Sequence, residues 1–303
     1  MKPDDHRKLT AHTLHYFKGY LTSQFTAALS VGDNEGELIQ GTVNEDGFSI
    51  ERATNWHFYR SGDDDQFLQP FEGFFNITYH PSSRNVVGDH NTKFNAYIQA
   101  HADGERIDSN DFFNLLGRVI HHIQDMNTPS HVVPVFHGPE FFRDFKWEKD
   151  HYEEFSRKRL PDYLKPADDQ SPFQLEIESP GSLEQGFIDL YDRAAGRALD
   201  YLQSDASKFD ATIGGKSAKA SCELFWEPYD RQNDPNQGKQ NRGFGQYGPL
   251  EKFFGNDIQE DIDGVTYKIA FSGYEHIYKH FIGSAIADTL TCLMYAGQRY
   301  SGQ

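Results

Sequence analysis

A motif with the pattern HxxxDxxxxxH, formed by His121, Asp125 and His131, has a spacing that suits metal coordination. On a helix, side chains four residues apart lie one above the other, so His121 and Asp125 share a face. Pro129 ends such a helix, and the turn that follows can bring His131 back toward the same face. Two imidazoles and one carboxylate form a borderline-soft donor set, which suits zinc.

The residues before this motif predict the helix that carries it. Asp108 or Ser109 can cap its start, and apolar residues recur at helical spacing, at Leu115, Leu116, Val119, Ile120 and Ile123. His122 falls on the apolar side of this helix, so we expect it to pack and not to bind metal. We expect His90 to be an ordinary surface or core histidine. A lone His–Asp pair would indicate only a solvated polar face, and it is His131 that favours a metal site.

Further donors occur on both sides of this motif. They are a helical histidine, an acidic stretch, a histidine between aromatic residues, and a helix start rich in carboxylates, found at His12, Gly41–Asp46, Asn55–Tyr59 and Trp147–Phe155. Each has an ordinary structural explanation by itself, because acidic loops and capped helix starts are common. Their joint order along the chain is what indicates a metal cluster.

This order resembles that of the zinc-dependent phospholipase C family and, more distantly, that of the fungal-type zinc nucleases, which share its fold. The family pattern is a helical histidine near the N-terminus, an acidic GxxxxD loop, an NHFYDP-like segment, HYxGDxxxPxH and a short helix with YExF. The corresponding features here are His12, Gly41–Asp46, Asn55–Tyr59, His121–His131 and Tyr152–Phe155. The resemblance covers about residues 9–157 and the terminal helix.

The resemblance implies a cofactor of two to three zinc ions. The first ion would be bound by Asp46, His57, His121 and Asp125. A second would be bound by His12 and by Asp125, which bridges the pair. His131 and Glu153 would bind a third ion together with one further ligand. The implied catalytic residues are Asp46, which would orient the attacking water or act as its base, and Asp125.

The chain departs from the family pattern at two ligand positions. Lys149 stands where the family has a histidine, so another residue must supply the further ligand, and spacing alone does not choose among His137, Asp150 and His151. The family also has an N-terminal tryptophan whose amine and carbonyl bind metal, and this chain opens with Met1. We expect His6 or another group to substitute for that tryptophan.

The chemistry implied by the resemblance is the hydrolysis of a phosphodiester. This reaction needs a nucleophilic water at neutral pH and compensation for the charge on the phosphoryl oxygens, and two zinc ions about 3.5–4 Å apart supply both. We expect a zinc-dependent phospholipase C that converts phosphatidylcholine-like phospholipids to diacylglycerol and a phosphorylated head group. The alternatives are a zinc nuclease or nucleotidase on the same fold and a metal-stabilised binding module without turnover.

Charge and hydropathy bear on the partner and the compartment. The 303-residue chain has a formal net charge of −17, whereas binding of nucleic acid needs a basic surface. We therefore expect no nucleic-acid partner, and instead a phospholipid with a zwitterionic head group and peripheral contact with a membrane. No stretch reaches the length of a membrane span. Although Met1–Arg7 contains no apolar signal core, we expect a secreted or exported protein, with a cytoplasmic one as the alternative.

The periodicity predicts an all-α fold, a mainly helical bundle around the zinc cluster with an irregular insert. Helices are expected near residues 8–30, 87–102, 108–126, 147–158, 183–204 and 274–300. The turn-rich insert covers residues 205–272, with a candidate β-hairpin around 262–270. We expect one domain over residues 1–303. Aromatic residues of the insert either border the substrate pocket or pack the insert onto the helices, namely Phe225, Trp226, Phe244 and Tyr247.

Overall fold

Helices dominate the computed structural model, which describes residues 1–45, 57–59, 83–133, 135, 149–165, 173, 175–228 and 245–302. In chain order they are α1 (Pro3–Phe17), α2 (Ser23–Leu29), α3 (Asn34–Asn44), α4 (Ser83–Ala102), α5 (Ser109–Asp125), α6 (Pro129–Val132), α7 (His151–Tyr163), α8 (Phe187–Gln203) and α9 (Phe271–Tyr300). The strands are β1 (Phe209–Ile213), β2 (Lys216–Ala220), β3 (Trp226–Glu227), β4 (Gln246–Tyr247), β5 (Ile258–Ile262) and β6 (Val265–Ile269). The predicted fold class, mainly helical with a β-containing insert, is confirmed.

Helix α5 packs against α3, α4, α8 and α9 and carries the central motif. Its start is capped by Asp108, whose carboxylate accepts hydrogen bonds from the backbone N–H groups of Asn110 and Asp111. The helix ends at Asp125, and Pro129 begins the short helix α6. The predicted helix and the break after it are therefore both present, and α6 carries His131.

Helices α3 and α5 approach closely because each places a glycine at their crossing. A Cβ atom on Gly41 would lie 2.1 Å from the backbone oxygen of Asn114, and one on Gly117 would lie 2.1 Å from that of Leu38. Only glycine therefore fits at either position. The prediction of a loop beginning at Gly41 is wrong, since α3 continues to Asn44. Gly41 serves helix packing there and not a turn.

The N-terminal region also differs from the expectation of one helix over residues 8–30. The structure has two helices, α1 and α2, and the Thr22 hydroxyl caps the second by accepting a hydrogen bond from the Phe25 N–H. Helix α1 begins earlier than expected, at Pro3, with Asp4 and Asp5 in its first turn. Proline at the first helical position and early acidic residues both favour a helix start.

The insert contains a four-stranded antiparallel sheet with the strand order β2-β1-β6-β5. The hairpin expected around residues 262–270 is formed by β5 and β6, with Ile262 paired to Val265. Asp263 and Gly264 connect them with φ angles of 51° and 78°, a geometry that favours an Asp-Gly turn. Strands β3 and β4 pair with each other as a separate ribbon.

Aromatic side chains attach the insert to the helices. Phe225 and Trp226 are 0% and 1% exposed. The Trp226 ring lies 5.8 Å from that of Tyr152 on α7, and the Phe225 ring lies 5.1 Å from that of Tyr274 on α9. These two side chains pack the insert onto the helices and are inaccessible to a lipid, contrary to the idea that they border a pocket. Phe244 lies outside the described residues.

The described surface exposes few large apolar side chains. Tyr20 and Val31 are the exposed ones among the described residues. None of the helices in this part of the chain is long and apolar enough to cross a membrane. Because a broad apolar patch usually marks a membrane contact, such a contact has no obvious location among the described residues.

We predict that Gly117→Ala lowers the free energy of unfolding by about 1–3 kcal/mol, because the added methyl group pushes α5 away from α3. Gly88→Ala in α4 is the matched control, since its Cβ would meet only Ile188 Cδ1, at 3.9 Å. Removing a glycine from a helix without a clash should stabilise the protein by roughly 0.5–1 kcal/mol. Denaturant unfolding measures both changes, and equal effects in the two variants would contradict the close-packing account.

Candidate metal centre

Histidines contact both oxygens of the Asp125 carboxylate at the end of α5. Its Oδ2 atom lies 2.7 Å from His57 Nδ1 and 3.2 Å from His121 Nε2. Its Oδ1 atom lies 3.3 Å from His6 Nε2 and 3.4 Å from His131 Nδ1. Asp125 is 1% exposed. The structure therefore encloses one carboxylate between two pairs of imidazoles.

Most of the distances in this group are close to the separation of two ligands of one tetrahedral ion, and the 2.7 Å between His57 Nδ1 and Asp125 Oδ2 is shorter. Zinc bonds of about 2.0–2.2 Å place two tetrahedral ligands about 3.3 Å apart. On one side, His121 Nε2 lies 3.2 Å from Asp125 Oδ2 and 3.3 Å from His57 Nδ1. On the other, the nitrogens of His6 and His131 lie 3.3 and 3.4 Å from Oδ1. Each oxygen of Asp125 therefore has two imidazole nitrogens within 3.4 Å, and these are the residues that would hold an ion on either side of the carboxylate.

Hydrogen bonds to the far side of two imidazoles fix their orientation. His121 Nδ1 lies 2.7 Å from the backbone oxygen of Thr42, and His6 Nδ1 lies 2.8 Å from Gln124 Oε1. The Gln124 amide nitrogen in turn donates to two threonine hydroxyls, at 3.0 and 2.9 Å. Because these oxygens accept, each Nδ1 carries a proton and Nε2 presents its lone pair to Asp125. This is the arrangement that orients histidines on metal ions.

The charges of the group also favour a cation between its members. Burial lowers the pKa of His6 to about 4, so this imidazole is neutral at pH 7. Burial by itself raises the pKa of Asp125, but His131, His121 and the N-terminal amine outweigh it and hold the pKa well below its usual range. An ionised carboxylate therefore faces an imidazole lone pair in a buried site, and a cation removes this repulsion.

Glu153, in the first turn of α7, adds a second carboxylate on the Oδ1 side. Its Oε1 atom lies 3.5 Å from His131 Nε2 and 3.0 Å from the Met1 amine. The same amine lies 3.4 Å from Asp125 Oδ1. Its Oε2 atom lies 2.8 Å from Lys2 Nζ. The predicted donors His131 and Glu153 are therefore close together, and the first two residues of the chain contribute positive charge there.

His6, and not His12, is the α1 histidine at this centre. His12 lies six residues further along the helix, which moves it about 9 Å along the axis and turns it through about 240°. Its ring contacts Tyr16, with centroids 4.6 Å apart. The prediction that His12 shares an ion with Asp125 is therefore corrected to His6, one of the substitutes that the altered N-terminus left open.

The candidates for a further ligand beside Glu153 have different surroundings. His151 Nδ1 lies 2.8 Å from Glu251 Oε2, so this imidazole is engaged away from the centre. Asp150 caps α7, its Oδ1 atom accepting from the Glu153 N–H at 2.9 Å, while its Oδ2 atom is buried. The contact with Glu251 makes His151 the weaker candidate, and Asp150 stays a prediction. Two predicted site residues lie outside the described residues, namely Asp46 and His137.

His122 is buried, as expected, but its partners are polar. Its Nε2 atom lies 3.0 Å from Glu45 Oε1, and Arg118 Nη1 lies 3.0 Å from Glu45 Oε2. His90 Nε2 lies 3.7 Å from Glu45 Oε1. The expectation of apolar packing for His122 is wrong because the carboxylate of Glu45, just after α3, lies opposite it. The periodicity of α5 contains no information about that opposing side chain.

The fold is similar to that of Clostridium perfringens alpha-toxin, known from a crystal structure of the toxin from an avian strain. The TM-score is 0.54 at 11% sequence identity, over 98% of this chain and 64% of the toxin chain. The chain thus spans 64% of the length of its structural neighbour, and at this identity the likeness shows the fold alone. No protein-family model and no curated protein matches the sequence.

We predict that His6→Ala weakens zinc binding more than about tenfold, because it removes a donor facing Asp125 Oδ1. His12→Ala is the control on the same helix and should bind zinc like the wild type. Equilibrium dialysis of metal-depleted protein against zinc measures both. Weaker binding in His12→Ala, with binding by His6→Ala unchanged, would restore the original assignment.

Proposed function

We propose that the protein is a zinc-dependent phosphodiesterase of the phospholipase C type, which hydrolyses phosphatidylcholine-like phospholipids to diacylglycerol and a phosphorylated head group. The observation that carries this proposal is the placement of imidazole nitrogens on both oxygens of the buried Asp125. A carboxylate held in this way suits paired metal ions, which catalyse displacement at phosphorus. The order of the donor motifs, which resembles that of the zinc-dependent phospholipase C family, supports the same reaction.

Two hydrogen bonds would keep the zinc-facing imidazoles of His121 and His6 in position. Bound zinc would supply charge stabilisation for the phosphoryl oxygens and would ease the deprotonation of the attacking water. Thr42 accepts a hydrogen bond from His121 Nδ1, and Gln124 accepts one from His6 Nδ1. The Nε2 atom of each imidazole is therefore directed at Asp125. Asp46 stays the predicted base, and it lies outside the described residues.

We propose a zwitterionic head group for the substrate because the chain is strongly acidic. A net charge of −17 repels polyanions and anionic membranes at low ionic strength, and salt screens this repulsion. We also propose that the protein contacts membranes peripherally and that it is secreted or exported. The preference for phosphatidylcholine over phosphatidylserine should accordingly shrink as salt rises.

A zinc nuclease is the second candidate, and one observation favours it. Tyr20 and Val31 are the exposed large apolar side chains among the described residues, which is little for a protein that acts at a lipid surface. The sequence resemblance also extends, more distantly, to the zinc nucleases. Substrate assays must therefore include both chemistries.

We predict that the wild-type protein cleaves phosphatidylcholine vesicles, that chelation of metal stops this turnover, and that single-stranded DNA is cleaved far more slowly. Asp125→Asn should lower turnover more than about 100-fold, because it removes the bridging charge. Asp111→Asn makes the same substitution at the exposed start of α5 and should keep full turnover. Released phosphorylated head group and DNA fragments measure the two activities.

The outcomes separate the three readings of the site. Rapid chelator-sensitive cleavage of DNA, without lipid hydrolysis, would move the assignment to a zinc nuclease. Metal binding without either activity would indicate a metal-stabilised binding module. Equal turnover by Asp125→Asn and Asp111→Asn would exclude the Asp125 centre as the catalytic site.

A further inference from the structure

A second group of buried metal-binding side chains lies beside the Asp125 centre, on helices α3, α4 and α5. Glu45 follows the last residue of α3, His90 lies within α4, and His122 lies on α5 next to His121. One ligand atom from each of the three lies within 4.8 Å of the others. All three residues are buried, with exposed fractions of 3%, 8% and 1%.

His90 makes no hydrogen bond of normal length within the described residues, although it is buried. Neither of its ring nitrogens has a hydrogen-bond partner among the described residues, and both are buried. A neutral imidazole contains one donor and one acceptor, and buried polar atoms of this kind are nearly always satisfied. His90 Nε2 nevertheless lies only 3.7 Å from Glu45 Oε1. This nitrogen therefore approaches the carboxylate at a distance longer than that of a normal hydrogen bond.

An ion pair accounts for part of this group only. Arg118 Nη1 lies 3.0 Å from Glu45 Oε2, and His122 Nε2 lies 3.0 Å from Glu45 Oε1. These contacts explain why the Glu45 carboxylate is buried. They leave the two ring nitrogens of His90 and the Nδ1 atom of His122 buried without hydrogen bonds among the described residues.

We infer that Glu45, His90 and His122 bind a divalent metal ion of the zinc class, separate from the ions proposed at Asp125. Two imidazoles and one glutamate form a donor set that zinc uses when it keeps a fourth position open. The distances of 3.0 and 3.7 Å from Glu45 Oε1 to the two Nε2 atoms lie on either side of the tetrahedral separation of about 3.3 Å. The inference does not depend on the reaction proposed above.

The helix geometry explains how α5 serves both groups. Consecutive residues on a helix point about 100° apart, so His121 Nε2 approaches Asp125 Oδ2 at 3.2 Å while His122 Nε2 approaches Glu45 Oε1 at 3.0 Å. The two groups adjoin, since a ligand atom of His122 also lies within 4.8 Å of those of His57 and Asp125. The His57 ring lies between them, 5.1 Å from the His121 ring and 5.7 Å from the His122 ring. A metal ion at Glu45, His90 and His122 would join α4 to the α3–α5 pair. Since it binds only the folded chain, it would raise the melting temperature.

The test uses metal-depleted full-length protein loaded with cadmium-113, which replaces zinc and gives one NMR resonance for each distinct site. His90→Gln should lose one resonance and retain those of the Asp125 centre. Glu45→Gln should lose the same resonance, so the result does not depend on one variant. His101→Gln is the matched control, because His101 is also on α4 but its ring stacks on Tyr300 at 4.3 Å. It should keep every resonance.

Circular dichroism checks that each variant is folded. A folded His90→Gln or Glu45→Gln protein with the same cadmium resonances as the wild type would overturn the inference, and the group would then be a metal-free polar network. Asp125→Asn distinguishes the two proposals, because it should change the resonances of the Asp125 centre and spare the one lost in His90→Gln. Loss of turnover in Asp125→Asn with that resonance intact would support the inference whatever the substrate.

Discussion

The burial of the Asp125 carboxylate is the constraint on which the rest of the structure depends. An ionised group that is 1% exposed needs compensating charge, because desolvation of an isolated carboxylate is very costly. The chain brings donors to it from widely separated positions, at His6, His57, His121 and His131. The buried His6 imidazole is neutral at pH 7 and supplies a lone pair and not charge, so bound cations would complete the compensation of this carboxylate. We therefore expect folding and metal binding to be strongly coupled.

Helix α5 positions the Asp125 carboxylate and the side chains that contact it. Its last residue is Asp125, and the break before Pro129 lets α6 return His131 to the same carboxylate. The glycine contact with α3 brings the Thr42 carbonyl to 2.7 Å from His121 Nδ1. Close helix packing thus sets the tautomer of the histidine that faces Asp125. The same packing also places Glu45, which follows α3, beside His122 on the neighbouring side of α5.

Features that are local in the sequence could be predicted, and features that depend on partners across the fold could not. Apolar periodicity and Pro129 were sufficient for α5 and the placement of His131. The sequence offers His6 only as one of several substitutes, because the apolar pattern suggests a helix start near residue 8, although Pro3 marks the true one. The family resemblance implies a loop from Gly41, and nothing in the sequence distinguishes a glycine that permits close helix contact from one in a turn. The partners of His122 come from α3 and α4, and nothing near His122 in the sequence specifies them.

The most direct test of the metal centre is diffraction at the zinc absorption edge from wild-type crystals grown without chelator. At the Asp125 centre we expect two anomalous peaks about 3.5–4 Å apart, one within about 2.0–2.2 Å of each Asp125 oxygen. The first should also contact His57 and His121, and the second His6 and His131. A map without peaks at Asp125, in crystals of folded protein soaked with zinc, would contradict the account and leave the Met1 amine as the counter-charge of this carboxylate.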